Sequence, residues 1–267
     1  MSSKAEIAIL IPHFNNPQGL LKSIKSIQED IALDVIIVDD GSTNERINEV
    51  ALDIFENELL KLHYIYLSKN SGIENALNTG LNYILNRSYS FIARLDCGDL
   101  CVSHRFAIQK KVLCADKALG LVGTYVKYIN LEGEVVHSFK TPTSYGEVRN
   151  KMHINSMFVH PTVMIKREVV ENVGLYPYGY PAAEDFAYFF KIIKTYKAFN
   201  IPQYLLYYEI NPNGISLSRR KEQLNSRFKI LKEEFYWGFY PCYGIVRNFI
   251  ISKLPYSLIH KLKKILR

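Results

Sequence analysis

The sequence predicts an α/β fold with a mostly parallel sheet flanked by helices, and three observations predict it. Short β-branched runs recur at "IAILIP" (7–12), "DVIIVDD" (34–40), "LHYIYLS" (62–68) and "FIARLD" (91–96). Apolar residues with helical spacing separate them, Leu20, Leu21, Ile24 and Ile27 in one stretch and Ala76, Leu77, Leu81 and Ile84 in another. Each run ends in a polar or glycine-bearing segment: "PHFNN", "DDGST", "KNSGIEN" and "DCGD". Strands alternating with helices imply parallel pairing through right-handed crossovers. Ligands of such sheets bind beyond the carboxyl ends of the strands, which is where these four segments fall.

After Leu119 the alternation is less regular. "LGLVGTYVKYIN" and "GEVVHSFK" read as an antiparallel pair turning at "LEGE". "VHPTVMIKREVV" follows, then a helix from about Ala183 to Tyr196, and "IPQYLLYYEI" as a further strand. From Ser218 onward the chain reads as helical, basic and aromatic. The organisation is therefore a catalytic-looking part over 1–217 and an extension over 218–267.

The 267 residues, 48% of them hydrophobic, suffice for one large α/β domain with an appendage. No apolar run reaches membrane-spanning length, and "MSSKAEIAILIP" has no signal-peptide organisation, so a cytoplasmic chain is expected. Four cysteines, Cys97, Cys101, Cys114 and Cys242, read as reduced thiols. Cys97, Cys101 and His104 lack a fourth ligand at zinc-site spacing. The net charge is +7, but 218–267 alone carries +9, twelve Lys/Arg against three Asp/Glu, which leaves −2 for the rest. A basic tail fits an anionic surface. No nucleic-acid-binding motif accompanies the charge, so nucleic acid is not an expected partner.

Several function classes lose their support. There is no G-x-G-x-x-G after the first strand, no G-x-x-x-x-G-K-[ST] and no G-x-S-x-G. A phosphatase with an aspartate nucleophile is excluded locally, because Val38 stands where the first acid belongs. Asp39 and Asp40 in "VDDGST" either form an Asx turn leading into a helix cap or accept hydrogen bonds from a base or a sugar hydroxyl. Asp96 and Asp99 hold a metal, grip a sugar or shape a turn. Glu184 and Asp185 suit a helix N-terminus on electrostatic grounds alone.

Seven segments occur in order: "ILIPHFNN", "VIIVDDGST", "ALNTGLNY", "FIARLDCGD", "VHPTVMIKREVV", "AEDF" and "IPQYLLYYEINPNGIS". Together they resemble the inverting nucleotide-sugar glycosyltransferases of family 2, with the GT-A fold, from Ile7 to Ser218. The resemblance implies donor binding by Pro12, Phe14, Asp39, Asp40, Arg94, Asp96, Asp99 and His160. It implies Asp185 as general base with Glu184 positioning it, and Asp99 as the ligand of a Mg²⁺ or Mn²⁺ ion. Two positions depart from the family pattern. Gly98 replaces the middle acid of D-x-D-D, and Asn211 stands where relatives often have histidine. These departures also fit a non-catalytic binding relative; the five retained aspartates 39, 40, 96, 99 and 185 favour an enzyme.

The resemblance further implies a nucleotide-sugar donor of the UDP-hexose class. The acceptor would be a glycan or lipid-linked saccharide of a cell-surface polysaccharide such as O-antigen, capsule or lipooligosaccharide. Arg219 and Arg220 are candidates to steady the leaving diphosphate or members of a solvated basic face. In the tail, Ile245, Val246, Phe249 and Ile250 suggest one helical face, and Leu258, Ile259, Leu262, Ile265 and Leu266 another. With Trp237 and the tyrosines, these suit peripheral contact at the cytoplasmic face of the plasma (inner) membrane, or a helical cap on the domain.

Overall fold

The computed structural model of the chain describes residues 4–211 and 219–253. The β-branched runs form β1 (Ile7–His13), β2 (Leu33–Asp39), β3 (Leu60–Tyr66) and β4 (Phe91–Arg94). Between them lie α1 (Pro17–Lys25), α2 (Glu49–Asp53) and α3 (Ile73–Leu85). Asn16 caps α1, its side chain accepting the Gly19 N–H, and Pro17 takes the first helical position, where a missing N–H costs nothing. The helix α2 begins at Glu49 under an Asn48 cap, well past "DDGST", so that segment makes its Asx turn without leading into a helix.

The second half contributes β5 (Leu100–Cys101), α4 (Arg105–Ala115), β6 (Leu119–Ile129) and β7 (Val135–Phe139). It continues with α5 (Tyr145–Lys151), a 3₁₀ turn at His160–Thr162, β8 (Met164–Lys166) and α6 (Arg167–Val173). Then follow α7 (Glu184–Thr195), β9 (Lys197–Glu209), α8 (Arg220–Glu233) and α9 (Phe239–Lys253). The strand order is β3-β2-β1-β4-β8-β6-β9-β5, with β7 beside β6. Pairing is parallel across β3-β2-β1-β4, antiparallel at β4-β8 and β8-β6, and parallel again at β6-β9. The expected antiparallel pair is present, with Val126 opposite Phe139 and Tyr128 opposite His137.

Both faces of the sheet are covered, and the two-residue period of the strands divides the core. In β1, Ile7, Ile9 and Ile11 enter one cluster with Leu20, Ile24 and Phe106; Ala8 and Leu10 enter the other with Leu77, Leu81 and Phe189. Ile230 and Leu231 of α8 belong to the second cluster, so this helix packs into the same core as the strands. The last described helix, α9, is fastened to the turn after α5. Gly244 lies so close to the His153 carbonyl that an added Cβ would sit 1.8 Å from its oxygen, and Asn248 donates to the Ile154 carbonyl (3.3 Å). Residues 212–218 and 254–267, which include the second predicted tail face, lie outside the described residues.

Candidate active site at the carboxyl edge of the sheet

The four strand-end segments lie together and are stitched to one another. Asn15, at a positive φ of 46°, accepts the backbone N–H groups of Thr43, Asn44 and Glu45 on its side chain (3.1, 3.2 and 3.3 Å). That joins the loop after β1 to the loop after β2. Asp40 accepts the Ser71 and Gly72 N–H groups, one per oxygen at 2.9 Å each, and so ties the loop after β3 to the same rim. Burial pushes its pKa up against those two hydrogen bonds. Asp39 accepts the Ser42 N–H at 2.6 Å and lies 3.0 Å from His13 Nδ1. The Asn16 N–H donates to His13 Nε2 (3.2 Å), which leaves Nδ1 to carry the proton and donate it to Asp39. Phe14 stands beside this pair, 45% exposed, with Pro12 behind it, half-buried.

Arg94, at the end of β4, is only 1% exposed. Its guanidinium donates to the Leu10 carbonyl and to Asp96 Oδ1, each at 2.5 Å. Arg94 is thus paired with an acid, Asp96. His160 is buried behind it, with Nε2 2.8 Å from the Tyr176 hydroxyl and 3.4 Å from Arg94 Nε. Burial, reinforced by the Arg94 charge, holds the His160 pKa well below its ordinary value, so the ring is neutral. Asn78 of α3 bonds both the carbonyl and the N–H of Tyr176, fixing this tier (3.0 and 2.9 Å). Asp96 is thus oriented from beneath while its own side chain stays partly exposed.

The Asp96–Asp99 turn is pinned by Ser23 of α1, whose hydroxyl lies 3.0 Å from the Asp96 carbonyl and 2.8 Å from that of Asp99. Gly98 has φ +102°, a conformation that disfavours side chains, and a Cβ there would stand 2.6 Å from Glu209 Oε1. The positive φ favours glycine at the place of the family's middle acid, whereas the Glu209 carboxylate lies at the end of a flexible side chain and adds less to that preference. Asp99 Oδ1 accepts the Glu209 N–H (2.9 Å), while Oδ2 is buried without a hydrogen-bond partner. Burial first, and then the Asp96 charge, raise the Asp99 pKa well above the carboxylate range.

Glu184 and Asp185 open α7 on the facing side. Asp185 accepts the Phe186 N–H at 2.7 Å, and the buried Glu184 Oε2 has no partner. Desolvation raises both pKa values; the Asp185 charge raises Glu184 further, and Arg227 of α8 opposes the rise at Asp185. The phenols of Tyr176 and Tyr208 are pushed up by burial first, and then by nearby acid charges, Asp185 and Asp96 at Tyr176 and Asp99 and Asp96 at Tyr208. His13, Ser23, Asn78, Tyr208 and Arg227 have no individual sequence signal; their roles come from chain-distant packing. Arg219 pairs with Glu222 on the surface.

The zinc alternative has no shared centre. The Cys97 thiol meets the Pro12 carbonyl, Cys101 the Arg105 guanidinium, and His104 the Asp30 carboxylate. Among the described residues, no three His, Cys, Asp or Glu side chains form a metal-holding group. The described residues thus build no cage of protein alone. A Mg²⁺ or Mn²⁺ held by one or two carboxylates and substrate phosphates needs less, and the unpartnered Asp99 Oδ2 fits that requirement.

Residues 8–174 match the model of glycosyl transferase family 2, and the chain belongs to that family. A glycosyltransferase of Haemophilus influenzae is 27% identical over 261 residues, covering 92% of each chain. The amylovoran biosynthesis glycosyltransferase AmsE of Erwinia amylovora is 24% identical over 230 residues, covering 84% of each. Among solved structures, the mannosyltransferase PcManGT of Pyrobaculum calidifontis, in complex with GDP-Man and Mn²⁺, superposes with TM-score 0.63 at 18% identity, over 92% of this chain and 70% of that one. TarS of Staphylococcus aureus (residues 1–349, in complex with UDP-GlcNAc) gives 0.60 at 16%, over 90% and 69%. The fold is GT-A, and the chain is a glycosyltransferase by family.

Proposed function

We propose that the chain is an inverting hexosyltransferase that moves one sugar from a nucleoside-diphosphate donor, of the UDP-hexose class, onto a glycan or lipid-linked acceptor of a cell-surface polysaccharide. The observation that carries this is the joining of the strand-end loops into one acidic rim, where Asn15 ties the loops after β1 and β2, Asp40 holds the loop after β3, and Arg94 orients Asp96. The base and ribose of the donor lie along Pro12, Phe14, Asp39 and Asp40, with Phe14 offering its exposed ring. Arg94 and His160 act through Asp96, which they orient from below. Asp185 takes the proton of the acceptor hydroxyl as that oxygen attacks the anomeric carbon. The bond to the diphosphate breaks on the opposite side, so the configuration inverts without an enzyme nucleophile. Asp99 would hold a Mg²⁺ or Mn²⁺ ion, which, when bound, neutralises charge on the diphosphate.

The relative AmsE, named for amylovoran biosynthesis, supports a polysaccharide setting. The two solved neighbours carry different nucleotides, GDP-Man and UDP-GlcNAc, so the donor is tested directly. Slow hydrolysis across a panel of UDP-, GDP- and dTDP-sugars, with no acceptor present, is expected to single out one donor. Failure of every nucleotide sugar to bind or hydrolyse would instead support a non-catalytic relative.

We also assign the 218–267 extension two roles, with α8 as a wall of the catalytic core and α9 as the face toward a membrane. No described helix is long and apolar enough to cross one. However, α9 and the turn before it leave Trp237 89% and Phe239 76% exposed, with Tyr243, Val246, Phe249 and Ile250 beside them. Ile245 instead packs inward, so the apolar face predicted from spacing is divided between core and surface. The W237S/F239S/F249S variant should bind anionic liposomes at least tenfold more weakly, since each large side chain withdrawn from water stabilises by roughly 1.5–3 kcal/mol. Binding unchanged from wild type would leave α9 as a cap on the domain.

A further inference from the structure

Residues 180–183 make the turn that leads into α7 and the proposed base. The Ala183 N–H donates to the Tyr180 carbonyl at 2.9 Å. Pro181 takes the second position of this turn, and the buried Ala182 takes the third at φ +57°. A positive φ at the third position marks a type II turn, where glycine is the usual residue. Alanine suits the type I form, which flips the peptide between the second and third residues and sets the third near a φ of about −90°. A non-glycine residue keeps the strained form only where its surroundings hold it.

The surroundings here are side chains of α8. Ser226, itself buried, donates to the Pro181 carbonyl at 2.9 Å, and that carbonyl belongs to the peptide that distinguishes the two turn types. Gln223 donates to the next carbonyl, that of Ala182, at 3.1 Å. Ahead of the turn, Lys229 donates to the Gly179 carbonyl (3.3 Å), and the Tyr180 hydroxyl donates to Glu233 (2.6 Å). The helix α7 starts directly after the turn, with Glu184 and Asp185 in its first turn, and its cap, Ala183, makes no side-chain hydrogen bond. We propose that Ser226 and Gln223 are positioning residues of the base: by holding the 181–182 peptide in the orientation alanine does not favour, α8 fixes where α7 begins and so where Asp185 is presented. The proposal rests on the reading of Asp185 as base.

The test uses the full chain with Ser226→Ala and Gln223→Met combined, with and without Ala182→Gly. Glycine adopts a positive φ without steric cost, so it keeps the turn when the clamp is gone. The first readout is the backbone conformation of Ala182, from its ¹³Cα and ¹³Cβ shifts, assigned by their loss in Ala182→Gly. These shifts should leave the positive-φ range in the double variant. The second readout is hydrolysis of the nucleotide sugar that the panel selects, with water in place of the acceptor hydroxyl. We expect kcat lower by about 10–100-fold with donor KM changed less than about twofold, and a return to near the wild-type rate once Ala182→Gly is added. In an Asp185→Asn background, loosening the turn should cost nothing further, since the group it presents is gone. An unmoved Ala182 conformation or an unchanged kcat in the double variant overturns the proposal. So does a loss that glycine does not restore, or one that multiplies with Asp185→Asn. Should the double variant fail to fold, Ser226→Ala alone provides the same comparison. Undiminished hydrolysis by Asp185→Asn would remove the base reading, and the positioning role with it, while a shifted Ala182 would still show α8 holding the turn.

Discussion

Asp185→Asn should lower kcat for transfer by about 10²–10⁴-fold, the usual contribution of general-base catalysis, with donor affinity changed less than about twofold. The amide keeps the size of the carboxylate and can still accept the Phe186 N–H that Asp185 accepts now. What it loses is the capacity to take a proton. Burial has raised the Asp185 pKa above the ordinary carboxylate value. Wild-type activity should therefore rise with pH through a limb displaced upward from that of free aspartate. The residual activity of the variant should lack this limb. Steady-state transfer across pH, with donor affinity from calorimetry, measures both. Undiminished transfer in Asp185→Asn would move the base elsewhere.

The second large effect is expected at Asp99, where function and stability pull in opposite directions. Its folded-state pKa is raised, and one oxygen is buried without a partner. As pH climbs past ~4, the unfolded chain releases this proton before the folded chain does. Folding is penalised from there upward. Asp99→Asn removes the penalty, so the variant should be the more stable at pH 7 by about 1–3 kcal/mol, roughly 2–4 °C in Tm per kcal/mol, with the difference vanishing in acid. It should also lose the rise in Tm that Mn²⁺ gives the wild type with a nucleoside diphosphate. Scanning calorimetry at two pH values, with and without Mn²⁺ and UDP or GDP, reads both effects. A variant that is no more stable, or that keeps its Mn²⁺-dependent shift, would contradict the assignment of Asp99.

Such a conflict is usual at functional sites, where a local cost persists because the surroundings enforce it. It also bears on what could be read from the sequence. The two-residue period in β1 and β2 and the helical spacing of α3 were legible because each depends on neighbouring residues. The polar strand ends were legible for the same reason. The reason for Gly98 was not, since the turn that takes it to φ +102° is pinned by the Ser23 hydroxyl, 75 residues earlier in the chain. The His13–Asp39 pair and the Arg94–His160–Tyr176 tier likewise join separate loops. In the tail, spacing grouped Ile245 with Val246, Phe249 and Ile250. It is the contact of Gly244 with the His153 carbonyl that turns Ile245 inward and the others out.

The stereochemistry of transfer tests the central claim most directly. With the nucleotide sugar selected from the panel, whose anomeric configuration is known, the anomeric proton of the new glycoside is followed by NMR before any equilibration. A single displacement driven by Asp185 gives a product of opposite configuration, absent with Asp185→Asn. A product that retains the configuration of the donor would contradict the single-displacement chemistry proposed for this site.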